Sequence, residues 1–486
     1  FFEIDWLEIW NKYCSDDALN IYAAQSIHPE SLIQTLAFKY SLTLDHAMLY
    51  VDENSSKKTV EIHQKLKSGL ADRAIGYTGF SMDEYNMLVN SWRSLQISPR
   101  VYRPKNLIRR SGTYAVIGSG PSLDDCLPIL KQIQNKVTII CCASNYGTLR
   151  KAGINVDILC LLERGEFMVD QYQQILDECG SSNTKLIASV TTPYQLHEQF
   201  SDSMIYFRPS LTPISIFAED PTQVLPNEGP QTVNTGVSFA LNQHPERIIL
   251  FGVDLGTSST SKVRSDQAIG ESPRDFPIEY KGNLRKVVFT NELLMDGIRV
   301  LEGCALFNSS EVDLINCSDG VFIDGFKSMK PSSILSCMED FSPSSTFDAW
   351  WSGCSRYSFE MFEASFNAAK PRSYINTSLN ELAKVIKLYL NHDSYYVFKQ
   401  KVTDLLDLEG KTRYQQLCSR MIRGNMYRIL ISINRQLIIM NNAPEHQINS
   451  FILGCQNLLL NRVSQYKKEI FQLLDMLESE NNKSRA

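Results

Sequence analysis

Seven short apolar runs in the middle of the chain constrain the fold more than any other feature of the sequence. Each run is bounded by Gly, Pro or Asn, and a segment with helical spacing separates it from the next. Such runs are typical of parallel strands buried on both faces of a sheet. The sequence therefore predicts an α/β domain with a central doubly wound, mostly parallel sheet, whose strands are Tyr114–Ile117, Val137–Ala143, Asp157–Leu162, Lys185–Val190, Met204–Phe207, Arg247–Val253 and Val312–Asn316.

The regions on either side of these runs have a different pattern. At roughly 150 residues per domain, the 486 residues suggest three domains. We predict a mostly helical N-terminal accessory domain at 1–104, a central domain at 105–331 and an all-helical C-terminal domain at 332–486, with a linker at 101–105. The C-terminal prediction rests on apolar residues at helical spacing, at Leu379, Leu382, Val385, Ile386 and Tyr389.

Composition and charge argue against several classes of protein. The formal net charge of −6 disfavours a nucleic-acid-binding protein that relies on a basic surface. No stretch approaches the roughly 20 apolar residues that span a bilayer, and the first residues lack the basic and apolar segments of a signal peptide. The twelve cysteines include no C-x-x-C pair, so we expect buried free thiols, no zinc site and a cytoplasmic protein.

The first predicted strand leads into the segment Gly118–Asp125, with the sequence Gly-Ser-Gly-Pro-Ser-Leu-Asp-Asp. Two glycines allow a tight turn and close approach to a ligand, and the helix start that follows favours a phosphate. Ser122 and Asp125 also resemble a capping box. Leu123 replaces the third glycine of a dinucleotide fingerprint, and the second strand ends near Asn145 without an acidic residue, which disfavours NAD. No Gly-Lys-Ser/Thr follows, so a P-loop is excluded.

Three further polar positions follow predicted strands or precede predicted helices. Asn145 could bind a base or a ribose, or cap the next helix. The segment Asn227–Gly236 precedes an apolar helix and predicts a second site for an anion or a ribose. Asp254, between Gly252 and Gly256, could meet a ligand hydroxyl or stabilise a turn. In a doubly wound sheet all of these lie near the carboxyl ends of strands, where ligands bind.

In this order, the Gly118–Leu123 turn, Asn145, Asn234-Thr235-Gly236 and Gly252-Val253-Asp254 resemble the motifs of bacterial CMP-sialic-acid sialyltransferases. They are more similar to those of the Maf (motility accessory factor) flagellin glycosyltransferases. The resemblance spans about Tyr114 to Gly325, and it implies a sialyltransferase-like variant of the Rossmann fold. Two more segments match in style, namely Pro273–Pro277 with Gly282-Asn283, and Asn316–Val321.

The resemblance implies a function. Maf proteins transfer a nonulosonic acid, pseudaminic or legionaminic acid, from a CMP donor to Ser or Thr of flagellin before export, which supports flagellum assembly and motility. We therefore expect flagellin and a CMP-sugar as partners, no membrane, no nucleic acid, no cofactor and no metal, with self-association left open. The C-terminal helices would bind flagellin. The residues implied in CMP binding are Gly118, Ser119, Gly120, Ser122, Asn145, Asn234, Thr235, Gly236 and Gly252.

The chemistry requires a general base for the acceptor hydroxyl. The related sialyltransferases assign this role to a His after the Gly-x-Asp motif, but this sequence has no His between His244 and His392. Asp275 is our first choice, and Asp254 is the second predicted catalytic residue. Asp266, Glu271 and Glu279 are other candidate bases. The polar segment Thr257–Asp275 predicts a lid, and the candidates for binding the donor carboxylate are Arg264, Arg274, Lys281 and Arg285.

Two alternatives remain open at this point. Gly-Ser-Gly-Pro-Ser-Leu turns also resemble those of archaeal hydroxymethylpterin pyrophosphokinases, which use ATP and Mg²⁺. The missing histidine also leaves open a non-catalytic flagellin chaperone built on a degenerate transferase.

Overall fold

The computed structural model describes residues 81–484, except 106–109, 181–182, 210, 260–261, 271–274, 369, 392–394, 408–412 and 441. The predicted helical domain at 1–104 therefore lies mostly outside the described residues. The described part of this range, 81–104, contains one helix and the first strand of the sheet.

Nine parallel strands form the central sheet. In chain order they are β1 Arg100–Val101, β2 Thr113–Ile117, β3 Thr138–Cys142, β4 Ile158–Leu161, β5 Lys185–Ser189, β6 Ser203–Tyr206, β7 Arg247–Phe251, β10 Asp313–Asn316 and β11 Lys327–Ser328, while β8 Ile278–Lys281 and β9 Val287–Thr290 form a separate antiparallel hairpin. Their order across the sheet is β1-β6-β5-β4-β3-β2-β7-β10-β11. The predicted doubly wound α/β fold is confirmed, and each of the seven predicted strands is present.

Helices cover both faces of the sheet. The described helices are, in chain order, α1 Ser81–Gln96, α2 Leu123–Ile133, α3 Tyr146–Lys151, α4 Phe167–Cys179, α5 Tyr194–Glu198, α6 Thr212–Phe217, α7 Thr232–Leu241, α8 Glu292–Asn308, α9 Phe347–Gly353, α10 Phe359–Ala368, α11 Pro371–Tyr389, α12 Tyr395–Leu406, α13 Arg413–Ile439 and α14 Glu445–Ser484. One core contains residues of α2 to α5, and a second core, on the other face, contains residues of α7 to α9. The seven longer strands are apolar at their centres because alternate residues enter these two cores.

Three elements differ from the sequence prediction. The predicted linker at 101–105 begins inside β1, which pairs with β6 through Arg100 and Met204. The β8–β9 hairpin follows the predicted lid and was not expected, because β8 has no fully buried residue and alternates half-buried with exposed side chains, while β9 has only four residues. Strands β1 and β11 contain two residues each, which is too short for a recognisable pattern.

The chain forms two compact units, which are discontinuous in sequence. Among the described residues, the unit with the sheet contains those of Glu84–Ile375, Thr412–Leu417 and Ile470–Ala486, and the second contains those of Asn376–Lys411 and Cys418–Glu469. The predicted three-domain division stays a prediction. The predicted helical character of the C-terminal region is confirmed, with Leu379, Leu382 and Ile386 buried as the periodicity indicated.

The remaining sequence-based expectations concern thiols and membranes. The eleven cysteines within the described part of the chain are all free, and most are buried. Among the helices of the described residues, none is both long and apolar enough to span a bilayer.

Candidate functional site

The order of strands in the sheet reverses direction between β2 and β7, and ligands of doubly wound folds bind at the carboxyl edge of such a point. The turns that follow these two strands pack backbone against backbone. Gly118 N–H donates to the Phe251 carbonyl at 2.8 Å, and Gly120 N–H donates to the Gly252 carbonyl at 2.8 Å. A Cβ on Gly118 would lie 2.4 Å from the Gly252 oxygen, and Gly252 has φ +62°. These glycines therefore permit the two turns to contact each other.

Asp254 holds the first turn in place. Its Oδ2 accepts from Ser122 N–H at 2.8 Å, and its Oδ1 accepts from the Ser122 hydroxyl at 2.6 Å. A Cβ on Gly120 would lie 2.1 Å from Oδ2, so only glycine fits there. Ser122 makes no side-chain cap at the start of α2, and the predicted capping box with Asp125 is therefore wrong. The reason is that the Ser122 hydroxyl bonds to a carboxylate from another strand end.

The Asp254 carboxyl group is buried and lies near a second acid. Burial raises its pKa to about 6, the Ser122 hydrogen bonds lower it, and the negative charge of Asp319 raises it. The segment with Asp319 closes around this group, since Val321 N–H donates to the Asp254 carbonyl at 2.8 Å and Val253 N–H donates to the Ser318 hydroxyl at 2.8 Å. The structure thus gives Asp254 a role in positioning, and its contact with a ligand stays a prediction.

Asn145 is fully buried beside the β2 turn. Its Nδ2 donates to the carbonyls of Ile117 at 3.0 Å and Gly118 at 2.8 Å, and its Oδ1 accepts from the Cys141 thiol at 2.8 Å. It makes no cap for α3, so that alternative is not realised. Both amide N–H groups are used inside the protein, which orients the turn. Binding of a base by Asn145 stays a prediction.

Part of the predicted lid lies over the ends of β2 and β3. Arg264 donates to the Ser144 hydroxyl at 2.9 Å and lies 3.4 Å from the Ser119 hydroxyl. Ser265 N–H donates to the Ser119 carbonyl at 3.0 Å. The segment is tied to the first turn of α2 by Asp124, which accepts from the Ser265 hydroxyl at 2.5 Å and pairs with Lys262 at 2.8 Å. This docked segment therefore covers the mouth of the predicted site.

The first turn of α7 lies on the other side of the crevice. Asn234 Oδ1 accepts from Gln231 N–H at 3.0 Å, and its Nδ2 donates to the Gly297 carbonyl at 2.9 Å. The Thr235 hydroxyl donates to the Glu228 carbonyl at 2.6 Å. A Cβ on Gly236 would lie 2.6 Å from the Cys142 sulfur, so this glycine allows α7 to approach the sheet. As the fifth residue of the helix, Gly236 has its N–H within the helical ladder.

A buried ion pair at the same edge was missed by the sequence analysis. Arg208 lies two residues beyond β6, and its Nε donates to Glu228 Oε1 at 2.7 Å. The two side chains are only 17% and 7% exposed. Glu228 lies in the polar segment that the sequence singled out, but no local pattern indicated its partner. The detectable signal was a single arginine directly after a buried strand.

The remaining predicted residues are more exposed. Asp275 is exposed at the surface, and its carbonyl accepts from Asn291 Nδ2 at 3.1 Å at the start of α8. Arg285 pairs with Asp319 at 2.6 Å, and Lys281 lies 3.3 Å from the centroid of the Phe322 ring.

Of the last four predicted residues, Asp266 lies in the docked segment, where its N–H donates to Asp124 of the first turn of α2 at 3.2 Å. Asp266 also pairs with Lys262 at 3.0 Å, Glu279 lies on the hairpin, and Glu271 and Arg274 lie outside the described residues. Within the described part of the chain, no group of three or more His, Cys, Asp or Glu side chains could hold a metal ion.

Comparisons with known proteins agree with this architecture. A family described as 6-hydroxymethylpterin diphosphokinase MptE-like matches residues 86–260, which include the β2 and β7 turns. No curated protein sequence matches the chain. The structure is similar to that of a Maf glycosyltransferase from Magnetospirillum magneticum AMB-1, with a TM-score of 0.72 and 20% identity, over 98% of this chain and 76% of that one. The predicted resemblance to the Maf glycosyltransferases is thereby confirmed at the level of the fold.

Proposed function

We propose that this protein is a glycosyltransferase that moves a nonulosonic acid from a CMP donor to Ser or Thr hydroxyls of flagellin in the cytoplasm, before export. The observation that carries the proposal is the pair of glycine turns at the point where the strand order reverses. They are held by Asp254 and Asn145 and covered by the segment with Arg264. The shared fold with a Maf glycosyltransferase supports the same reading.

The proposed reaction is a displacement at the anomeric carbon of the donor. The acceptor oxygen bonds to that carbon, the bond from the carbon to the phosphate oxygen breaks, and CMP leaves with the bonding electrons. Donors at the carboxyl edge would stabilise the negative charge of the departing phosphate. Arg264 is suited to this role, since its half-buried guanidinium group already spans the ends of β2 and β3.

The proton of the acceptor hydroxyl has to pass to a base. Asp275 remains our choice because its side chain is exposed and its carbonyl accepts from Asn291, which caps α8, the helix whose first turn contacts the polar segment before α7. The Gln231 side chain of that segment donates to the Leu293 carbonyl at 3.0 Å, which links the two helix starts. Asp254 acts instead as a positioning residue, because both of its oxygens are engaged by Ser122.

Calorimetric titration of the full chain with CMP, AMP, ATP-Mg²⁺ and NADH tests this proposal. We expect selective binding of CMP, and weaker binding in Arg264→Ala. Arg356→Ala serves as the control, since Arg356 is 56% exposed and pairs with Asp202 at 3.8 Å. Asp275→Asn should retain CMP binding and lose transfer to flagellin.

The other outcomes of this titration separate the alternatives. Binding of ATP-Mg²⁺ without CMP would reject the proposal in favour of a pyrophosphokinase. CMP binding with no transfer to flagellin from any CMP-nonulosonic acid would favour the non-catalytic chaperone.

A further inference from the structure

The ion pair between Arg208 and Glu228 has features that its contribution to stability does not explain. Both side chains are largely buried, and removing two charges from water costs more than their attraction usually returns. Buried pairs of this kind are therefore often kept for a purpose other than stability. The pair lies at the carboxyl edge of the sheet, because Arg208 follows β6 by two residues and all strands of the sheet are parallel.

The guanidinium group is held through only one of its nitrogens. Nε donates to Glu228 Oε1 at 2.7 Å, and within the described residues no further hydrogen bond to this group is found. The two terminal nitrogens are the part of arginine that binds carboxylates and phosphates in a bidentate manner. Gly229 leaves room for them, since a Cβ there would lie 3.0 Å from one terminal nitrogen of Arg208.

The pair is connected to the proposed donor site by direct contacts. The Glu228 carbonyl accepts from the Thr235 hydroxyl at 2.6 Å, in the first turn of α7. The next residue, Gly236, packs on Val116 of β2, with its Cβ position 2.9 Å from the Val116 side chain. Glu228, the partner of the guanidinium group, therefore contacts the first turn of α7, the helix that packs on β2 and β3.

We propose that Arg208 binds an anionic oxygen group of the donor, either the sugar carboxylate or the nucleotide phosphate, with its terminal nitrogens. Glu228 is the positioning residue that orients the guanidinium group. This inference rests on the proposed function and adds to it a specificity-determining residue that was absent from the sequence-based candidates Arg264, Arg274, Lys281 and Arg285.

Binding of three probes by the full chain tests this role: CMP carries only the phosphate, N-acetylneuraminic acid carries only the carboxylate, and inorganic phosphate is the minimal anion. Arg208→Lys keeps the charge but removes the bidentate geometry, and we expect a roughly tenfold to hundredfold weaker affinity for the probe that Arg208 binds. Arg247→Lys is a closely matched control, because Arg247 also pairs through Nε at 2.7 Å, with Asp313, at the opposite edge of the sheet.

A second variant separates ligand binding from a structural role. Glu228→Gln keeps an oxygen acceptor for Nε and removes the negative charge, so anion affinity should rise severalfold. If the pair were only structural, Arg208→Lys and Glu228→Gln would change thermal stability without opposite effects on affinity.

The results also distinguish this inference from the proposed function. Failure of the wild type to bind CMP rejects the proposed function. The inference about Arg208 is then tested by the effect of Arg208→Lys on the binding of N-acetylneuraminic acid and inorganic phosphate. If Arg208→Lys loses affinity for CMP but not for N-acetylneuraminic acid, Arg208 binds the phosphate. If it loses affinity for N-acetylneuraminic acid but not for CMP, Arg208 binds the carboxylate. Equal affinities in Arg208→Lys and Arg247→Lys, or no binding of any of the three probes by the wild type, would overturn the inference.

Discussion

The glycine at position 236 offers a direct test of how closely α7 packs against the sheet. A Cβ added there would lie 2.6 Å from the Cys142 sulfur and 2.9 Å from a methyl carbon of Val116. Both neighbours belong to buried central strands and have little room to move. Gly236→Ala should therefore destabilise the protein, although alanine is favoured over glycine in a helix.

The magnitude follows from two opposing effects. Overpacking of a well-packed core typically costs about 1–3 kcal/mol, and replacing glycine by alanine in a helix interior returns about 1 kcal/mol. Because both contacts are far shorter than van der Waals distance, we expect the free energy of unfolding to fall by about 1–2 kcal/mol. Gly303→Ala in α8 is the matched control, since its Cβ would meet no other described atom within 4 Å, and it should stabilise by about 0.5–1 kcal/mol.

Urea-induced unfolding, followed by far-UV circular dichroism, measures both changes. Adding Cys142→Ala to Gly236→Ala removes the atom of closest contact, so the double variant should lose less stability than the two single losses predict. CMP binding by the folded Gly236→Ala protein should persist, because the N–H of residue 236 lies within the helix. A Gly236→Ala protein as stable as Gly303→Ala would refute the close contact between α7 and the sheet.

Two further predictions concern buried titratable groups. Ser122→Ala removes a 2.6 Å hydrogen bond to the Asp254 carboxylate and should lower the free energy of unfolding by about 1.5–3 kcal/mol. Because the pKa of Asp254 is raised to about 6, this loss of stability should be larger at pH 7, where the group is ionised, than at pH 5. Ser119→Ala is the control, and an equal loss at both pH values would contradict this account. His197 is buried, with no hydrogen-bond partner for either ring nitrogen among the described residues, and burial lowers its pKa from 6.5 to about 4. As the pH falls, His197 binds a proton in the unfolded chain before it does so in the folded protein. The free energy of unfolding is therefore unaffected by this group above pH 6.5, and it decreases by about 3 kcal/mol as the pH falls towards 4, at ~1.4 kcal/mol per pH unit. His197→Leu should therefore reduce the acid sensitivity of unfolding between pH 6.5 and 4, and an unchanged pH profile would show that His197 is not buried as a neutral ring.

The fold could be predicted because its signals are local. Each of the seven long strands has a buried, mostly apolar centre, and this pattern follows from burial on both faces. The elements that were missed lack such a signal. Strands β1 and β11 have two residues each, and in the hairpin Ile278–Lys281 exposes alternate side chains while Val287–Thr290 exposes only Phe289.

The candidate site was predictable in its location but less so in its contacts. The order of Gly118, Asn145 and Asp254 along the chain places them at one edge, because parallel strands share the edge at which they end. The tight turn predicted for the two glycines is present, whereas Asn145 does not cap the next helix and the predicted ligand contacts stay predictions. The hydrogen-bond partner of each side chain could not be predicted. Ser122, for example, was expected to cap its own helix, but it bonds to a residue 132 positions away.

The amino-acid order alone was therefore enough to establish the sheet, the helical C-terminal region and the edge at which polar residues gather, since backbone periodicity and burial act over a few neighbouring residues. Side-chain pairing required the folded chain. The Asn145 amide is fully used by the β2 turn, and Arg208 is joined to Glu228 in a buried pair. These contacts depend on strand register and on loops that meet only after folding, so no local pattern records them.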